Sequence, residues 1–291
     1  MTIGIYGKRI DPEFAKATRS LFASLEKYRA DVQLYLPLLD FIKEELSFTP
    51  YYKYTFSSSS EIQDIDVMIS LGGDGTFLDT ITLVQDRGIP VMGINFGRLG
   101  FLATTSIPEI SNSIDLLIAS KYSVEQRSML EVIKGRELFG SFPFGLNDFV
   151  IRNIGSGLLH VNTYINSDYL STYWADGLIV STPTGSTAYS LSVGGPILAP
   201  SLSAFVLSAI SPHHLTVRPL VIPDNSLIEL EVTGREGKVF MSLDSRSVNV
   251  ELPIRVTLKK AMFMANVICL KGNSFYRTIR SKLLWGMDKR N

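Results

Sequence analysis

Gly72-Gly73-Asp74-Gly75-Thr76 lies between an apolar, strand-like run and a helical pattern. Glycines at this density let the main chain approach a ligand closely and take up positive φ. Successive N–H groups leading into a helix N-terminus form an anion site, most often for phosphate. The segment is neither Gly-x-x-x-x-Gly-Lys-Ser/Thr nor Gly-x-Gly-x-x-Gly. It adds a carboxylate, Asp74, to the cradle. A fixed anion there repels a phosphate unless it accepts a proton or binds a cation. The alternative is a helix cap or a plain tight turn.

A second segment runs from Asp176-Gly177, through an apolar strand, into Thr182-Pro183-Thr184-Gly185-Ser186-Thr187-Ala188-Tyr189-Ser190-Leu191-Ser192 and then Gly194-Gly195-Pro196. A helix is expected to start near Ser186 and stop at the paired glycines. Hydroxyls, amides and one tyrosine face suit a sugar and a base better than a core. No Gly-x-Ser-x-Gly is present, so this is not a nucleophile elbow. A Ser/Thr-rich turn is the alternative. A third candidate is Asn147-Asp148, an amide beside a carboxylate at a strand start, which can read a base edge and a sugar diol or simply form a turn. His213 and His214 are adjacent, so in a strand they point to opposite faces and cannot readily share a metal. They read as structural or interface residues.

Alternating strands and helices must position the glycine loop. Thr2 to Tyr6, Asp31 to Leu36, Ile65 to Leu71 and Ile89 to Ile94 read as strands. Between them, Asp11-Pro12 opens a helix with Phe14, Ala17, Leu21, Phe22 and Leu25 on one face, and Leu38 to Leu46 gives another. Phe77, Leu78, Ile81 and Val84 form the apolar face of the helix after the glycine loop. The aromatic-rich stretch from Phe48 through Ser60 reads as an exposed loop. This pattern predicts a parallel sheet with helices on its faces and ligands beyond its carboxyl ends.

Pro108 to Ala119 is one more helix, and the texture then changes. Val161 to Ile165 and Tyr169 to Trp174 flank an Asn166-Ser167-Asp168 turn. Leu227 to Val232, Val239 to Leu243, Val248 to Leu252 and Ile254 to Lys259 add further strands. The expected architecture is therefore an α/β N-terminal domain, with a parallel, Rossmann-like sheet, plus an all-β, sandwich-like C-terminal domain. The expected division is 1–105 and 106–269. The basic tail, with Arg277, Arg280, Lys282, Lys289 and Arg290, reads as a solvated closing segment. The alternative has residues 270–291 packing back on the first domain.

Composition excludes several classes. The chain has 291 residues, 45% hydrophobic and only 19% charged, which excludes a disordered chain and suggests about two domains. Lys and Arg total 28 and Asp and Glu total 28, a balance that argues against nucleic-acid or membrane-surface binding. One cysteine, Cys269, allows neither an internal disulfide nor a Cys-based zinc site, and three histidines leave little for a His-rich metal centre. No signal-peptide or membrane-span pattern is present, which suggests a soluble cytoplasmic protein.

Together, Ile65 to Phe101, Asn147 to Ile151 and Asp176 to Pro223 resemble the NAD kinase family, in its order and spacing. The glycine loop is shared with diacylglycerol kinases and phosphofructokinases. Thr184 to Ser192 with Gly194-Gly195-Pro196 is far more specific. So is the combination of Gly93-Ile94-Asn95 and Gly100-Phe101 with Ser211-Pro212-His213-His214-Leu215 and Arg218-Pro219-Leu220. The resemblance implies phosphorylation of the 2′-hydroxyl of the adenosine ribose of NAD by ATP, giving NADP. Asp74 would take the hydroxyl proton, with Gly75 beside it. Asn147, Asp148, Asp176, Thr187, Ala188, Tyr189, Ser190, Leu191 and Ser192 would hold the dinucleotide. It further implies a divalent metal ion such as Mg²⁺ accompanying ATP, no protein metal ligands, and a homo-oligomer, dimer or tetramer. Another small-molecule or lipid kinase with the same loop, or a non-catalytic dinucleotide sensor, are the competing functions. The sequence departs from the family at Asp79, Phe96, Trp174 and Asp244-Ser245-Arg246, and Arg98 and Arg152 are the alternatives for receiving phosphate.

Overall fold

The computed structural model describes residues 1–97 and 99–286. Arg98, Lys289 and Arg290 lie outside the described residues. The chain divides into two compact units, Met1–Gln126 with the segment from Asn266 onward, and Arg127–Ala265.

The first unit is built on a parallel sheet. Thr2–Gly7 pairs with Asp31–Tyr35 on one side and Val67–Leu71 on the other. Tyr54–Phe56 extends the sheet beyond Asp31–Tyr35. Val91–Asn95 extends it beyond Val67–Leu71, and Val267 then pairs with Val91. The chain thus winds outward from Thr2–Gly7 in one direction, then returns to build the other half. The switch point lies between Thr2–Gly7 and Val67–Leu71, and its carboxyl end is where such sheets bind ligands.

Helix Ala15–Lys27 buries Leu21, Phe22 and Leu25, as the apolar spacing predicts. A short 3₁₀ turn, Pro12–Phe14, precedes it, with the Asp11 side chain accepting the Glu13 N–H. Helix Asp74–Val84 buries Phe77, Leu78, Ile81 and Val84. Helix Ile110–Ile118 follows a capping box formed by Ser106 and Glu109. The stretch read as an exposed loop contains the edge strand Tyr54–Phe56 and a 3₁₀ turn, Ser59–Glu61. Phe56 is almost fully buried, and Gln33 to Tyr35 supply the ladder partners. A three-residue edge strand is too short to show alternation.

The second unit is a β-sandwich. Asp168–Ala175, Leu159–Ile165, Ile228–Gly234 and the start of Ile254–Leu270 form one antiparallel sheet in that order. Leu220–Pro223, Ala204–Ile210, Gly177–Ser181, Asp148–Asn153, Lys238–Leu243 and Arg246–Glu251 form the other. Val161, Leu230 and Val256 from the first share a core with Phe149, Leu178, Leu207 and Met241 from the second. Asn166 and Ser167 both have positive φ, the signature of a tight hairpin between Leu159–Ile165 and Asp168–Ala175.

Candidate active site

Strand Val67–Leu71 is buried along its length and delivers the chain into Gly72. The next helix starts at Asp74 with Gly73 as its N-cap residue, and no side chain caps it. Its first amides are therefore available to an anion. The Asp74 carboxylate turns away from its own helix, so the capping alternative does not describe it. Oδ2 accepts the Phe101 N–H at 2.8 Å, and Oδ1 accepts those of Leu102 and Ala103, each at 3.0 Å. Asn95 donates to the Ala103 carbonyl and steadies that turn.

Gly100 explains how the carboxylate fits. A Cβ at that position would stand 1.9 Å from Asp74 Oδ1, so any side chain there displaces the group or the turn. The Lys282 ammonium lies 3.5 Å from Asp74 Oδ2 and 4.7 Å from the centroid of the Phe101 ring. Lys282 belongs to helix Phe275–Leu283, where a solvated closing segment was expected. Its sequence signal, one lysine among several basic residues in a tail, does not single it out.

A second cation stands at the switch point. Lys8 directly follows strand Thr2–Gly7 and pairs at 2.6 Å with Asp79 of the glycine-loop helix. Asp79, a departure from the family pattern, thus acts as the anchor of a lysine. Beside it opens a cavity of about 820 Å³, lined by Lys8 and Arg9 together with Tyr35 and Phe41. Phe96 packs edge-on against Phe14, a structural contact at 5.8 Å between centroids.

In the second unit, Asn147 and Asp148 are held by a residue that sequence reasoning noted only as a departure. Asp244 is half-buried in the turn between Lys238–Leu243 and Arg246–Glu251, and its carboxyl points inward. Its Oδ2 accepts the Leu146 N–H at 2.7 Å, and its Oδ1 accepts those of Asn147 at 2.7 Å and Asp148 at 3.1 Å. Burial pushes the Asp244 carboxyl up, and the three amide donors oppose that rise. Burial, followed by the charge of Asp244, raises Asp148 to about 8. At neutral pH Asp148 is thus predominantly protonated and offers a hydroxyl donor as well as an acceptor. Arg246 donates to the Phe142 and Phe144 carbonyls, so its guanidinium is engaged in the fold.

The hydroxyl-rich loop closes on the same backbone. Thr182 N–H donates to the Asn147 carbonyl at 2.9 Å, and its hydroxyl donates to the Leu146 carbonyl at 2.6 Å. A Cβ on Gly185 would fall 2.0 Å from the Asn147 carbonyl oxygen, so glycine permits the contact. The expected single helix from Ser186 is instead a 3₁₀ turn, Gly185–Thr187, and a short helix, Tyr189–Ser192. Ala188 separates them with φ −100° and ψ −128°. Ser186 does not cap: its hydroxyl donates to the Pro183 carbonyl and accepts the Leu198 N–H.

The remaining predicted residues divide by exposure. Tyr189 and Ser192 are exposed, and Thr187, Ala188 and Leu191 are half-buried. Ser190 is buried and hydrogen-bonds to Ser208 at 3.1 Å, a core contact. The buried Thr184 hydroxyl has no partner among the described residues, the kind of group a polar ligand satisfies. Asp176 is half-buried, and its main chain bonds to Ile210 and Asn153. Arg152 lies over the Phe240 ring at 4.9 Å, and Trp174 stacks on His160 at 4.5 Å. Among the described residues, no three His, Cys, Asp or Glu side chains come together to hold a metal ion.

A carboxylate at the glycine loop of a doubly wound sheet, and a hydroxyl-rich loop on a sandwich, define a two-part nucleotide-kinase architecture. The family models agree. The ATP-NAD kinase N-terminal domain matches residues 4–122, and the ATP-NAD kinase C-terminal domain matches residues 146–270. The chain belongs to the NAD kinase family. It is 39% identical over 292 residues to the NAD kinase of Cytophaga hutchinsonii and 41% identical over 295 residues to that of Flavobacterium psychrophilum, in both cases covering 100% of each chain. Its fold matches yeast NADH kinase complexed with NADH, with a TM-score of 0.87 and 24% identity, covering 99% of this chain and 89% of that one. It also matches an NAD kinase from Archaeoglobus fulgidus in complex with ATP, with a TM-score of 0.76 and 22% identity, covering 98% and 99% respectively.

Proposed function

We propose that the chain transfers the terminal phosphoryl group of ATP to the 2′-hydroxyl of the adenosine ribose of NAD, giving NADP, with Asp74 as the proton acceptor. The observation that carries this assignment is the seat of Asp74. Three amides hold the carboxylate in one orientation at the head of a helix whose own amides are uncapped. Phosphoryl transfer depends mainly on alignment and charge neutralisation, and such a group supplies alignment without reorganisation.

The α/β unit performs the chemistry and the β-rich unit binds the dinucleotide. Asn147, Asp148 and Asp176 contact its sugar and base, together with Thr187, Ala188, Tyr189, Ser190, Leu191 and Ser192. Ser190 acts through its main chain, because its hydroxyl is committed to Ser208. Gly75 lies beside Asp74, and the helix amides and Lys8 receive the phosphates of ATP. The divalent cation, Mg²⁺, enters as part of the ATP substrate. The working form is a cytoplasmic homo-oligomer, dimer or tetramer. Light scattering on the purified protein tests the assembly, and a monomer would exclude it.

The activity test is incubation of the full chain with NAD, ATP and Mg²⁺, followed by assay of the product with an NADP-specific dehydrogenase. NADP formation is expected. Binding of NAD without product would make the chain a sensor, and phosphorylation of another alcohol in its place would overturn the substrate.

A further inference from the structure

Helix Phe275–Leu283 starts at Ser274, whose hydroxyl accepts the Arg277 N–H, and ends in a basic turn with Arg280 and Lys282. Lys282 sends its ammonium to the carboxylate that the proposed reaction uses. Oδ1 of Asp74 already accepts two amide hydrogens and Oδ2 accepts one. An ionised carboxylate offers about four acceptor positions. Among the described residues one position is left, on Oδ2, and the ammonium faces that oxygen.

A sugar hydroxyl giving its proton to Asp74 needs the position that Lys282 guards. At 3.5 Å the ammonium is beyond the usual hydrogen-bond length, so charge and the Phe101 face hold it rather than a short bond. Its side chain keeps 35% of its surface open, on a flexible four-carbon stem that can move without unpacking the helix. The incoming phosphoryl group becomes bonded to the very oxygen whose proton Asp74 takes. Its equatorial oxygens, where negative charge gathers, therefore come to the same few ångströms.

We propose that Lys282 is a catalytic residue: it yields the last acceptor position of Asp74 to the sugar hydroxyl and then contacts the equatorial oxygens of the transferring phosphoryl group. The inference rests on the reading of Asp74 as proton acceptor. The hydroxyl O–H bond breaks and its proton passes to Asp74. The new O–P bond forms as the P–O bond to the leaving nucleoside diphosphate breaks. Lys282 stays protonated throughout and supplies only charge.

Lys282→Met keeps the stem and removes the charge. It is expected to lower kcat about a hundredfold, while the dissociation constant for NAD, from calorimetry, stays within about twofold of wild type. Lys282→Arg should recover part of the loss, and added ethylammonium should restore Lys282→Met in proportion to its concentration but leave Asp74→Asn unrestored. Arg280→Met removes the same charge from an exposed site on the same helix and should leave kcat unchanged. Wild-type kcat in Lys282→Met overturns the inference, as does a loss that neither arginine nor the amine restores. An inactive wild-type chain, or a fully active Asp74→Asn, would instead overturn the functional reading itself, so the two failures are told apart.

Discussion

Asp74 and Asp244 sit in closely similar nests with different neighbours. Each accepts three consecutive backbone N–H groups from a distant turn, residues 101–103 for one and 146–148 for the other. The Asp74 side chain remains 29% exposed and faces an ammonium. Asp244 is half-buried too, but desolvation pushes its own carboxyl up, and its charge helps push the neighbouring Asp148 up. The same local arrangement thus yields a reachable acceptor in the α/β unit and, beside the buried Asp148, a loop clamp in the sandwich. Three amide bonds fix where a carboxylate points, but solvent access and neighbouring charge decide whether it does chemistry or holds a loop.

Asp74→Asn should show the largest effect, a loss of turnover of about 10²–10⁴ with NAD binding retained, measured by steady-state kinetics and calorimetry. Near-normal turnover would reduce Asp74 to a clamp and erase the contrast. Gly100→Ala leaves the carboxylate in the sequence but drives a Cβ into it. Turnover should fall about a hundredfold, as for a misplacement of about 1 Å; if the rate stays normal, the seat is less rigid than the geometry implies.

Asp244→Asn should act chiefly on stability. One amide donor loses its acceptor, which costs about 1–3 kcal/mol in urea unfolding, and the affinity for NAD weakens as the Asn147-Asp148 turn loosens. A rate loss like that of Asp74→Asn, without loss of stability, would mean that both nests do chemistry. The smallest effect is a slope. Asp148 keeps its proton to about pH 8 when folded but only to about pH 4 when unfolded. Its contribution to stability is complete below about pH 4 and is lost as pH rises towards 8. Asp148→Asn should therefore flatten the decline of unfolding free energy between pH 5 and 8. An unchanged slope would show that Asp148 is ionised in the fold.

Much of the scaffold is legible along the chain. The face of Phe77, Leu78, Ile81 and Val84 is a helical stripe, and the observed helix buries those residues. The turn at Asn166-Ser167 is set by residues that tolerate positive φ. The Ser186 helix is misread because its hydroxyl meets Leu198 and Pro183, contacts that local pattern does not contain. For the tail, local pattern favours a solvated segment over one packed back on the first domain, because the partner of Lys282, Asp74, is about two hundred residues away in the chain.

Turn chemistry and apolar spacing act between near neighbours, so the order of residues alone assigns the glycine loop, the hydroxyl-rich loop and the elements beside them. Which oxygens of Asp74 are occupied, which lysine faces it and which aspartate clamps Asn147 depend on contacts made only when distant segments meet. Those contacts are settled by how the chain closes on itself, because hydrogen-bond geometry and burial exist only in the packed fold.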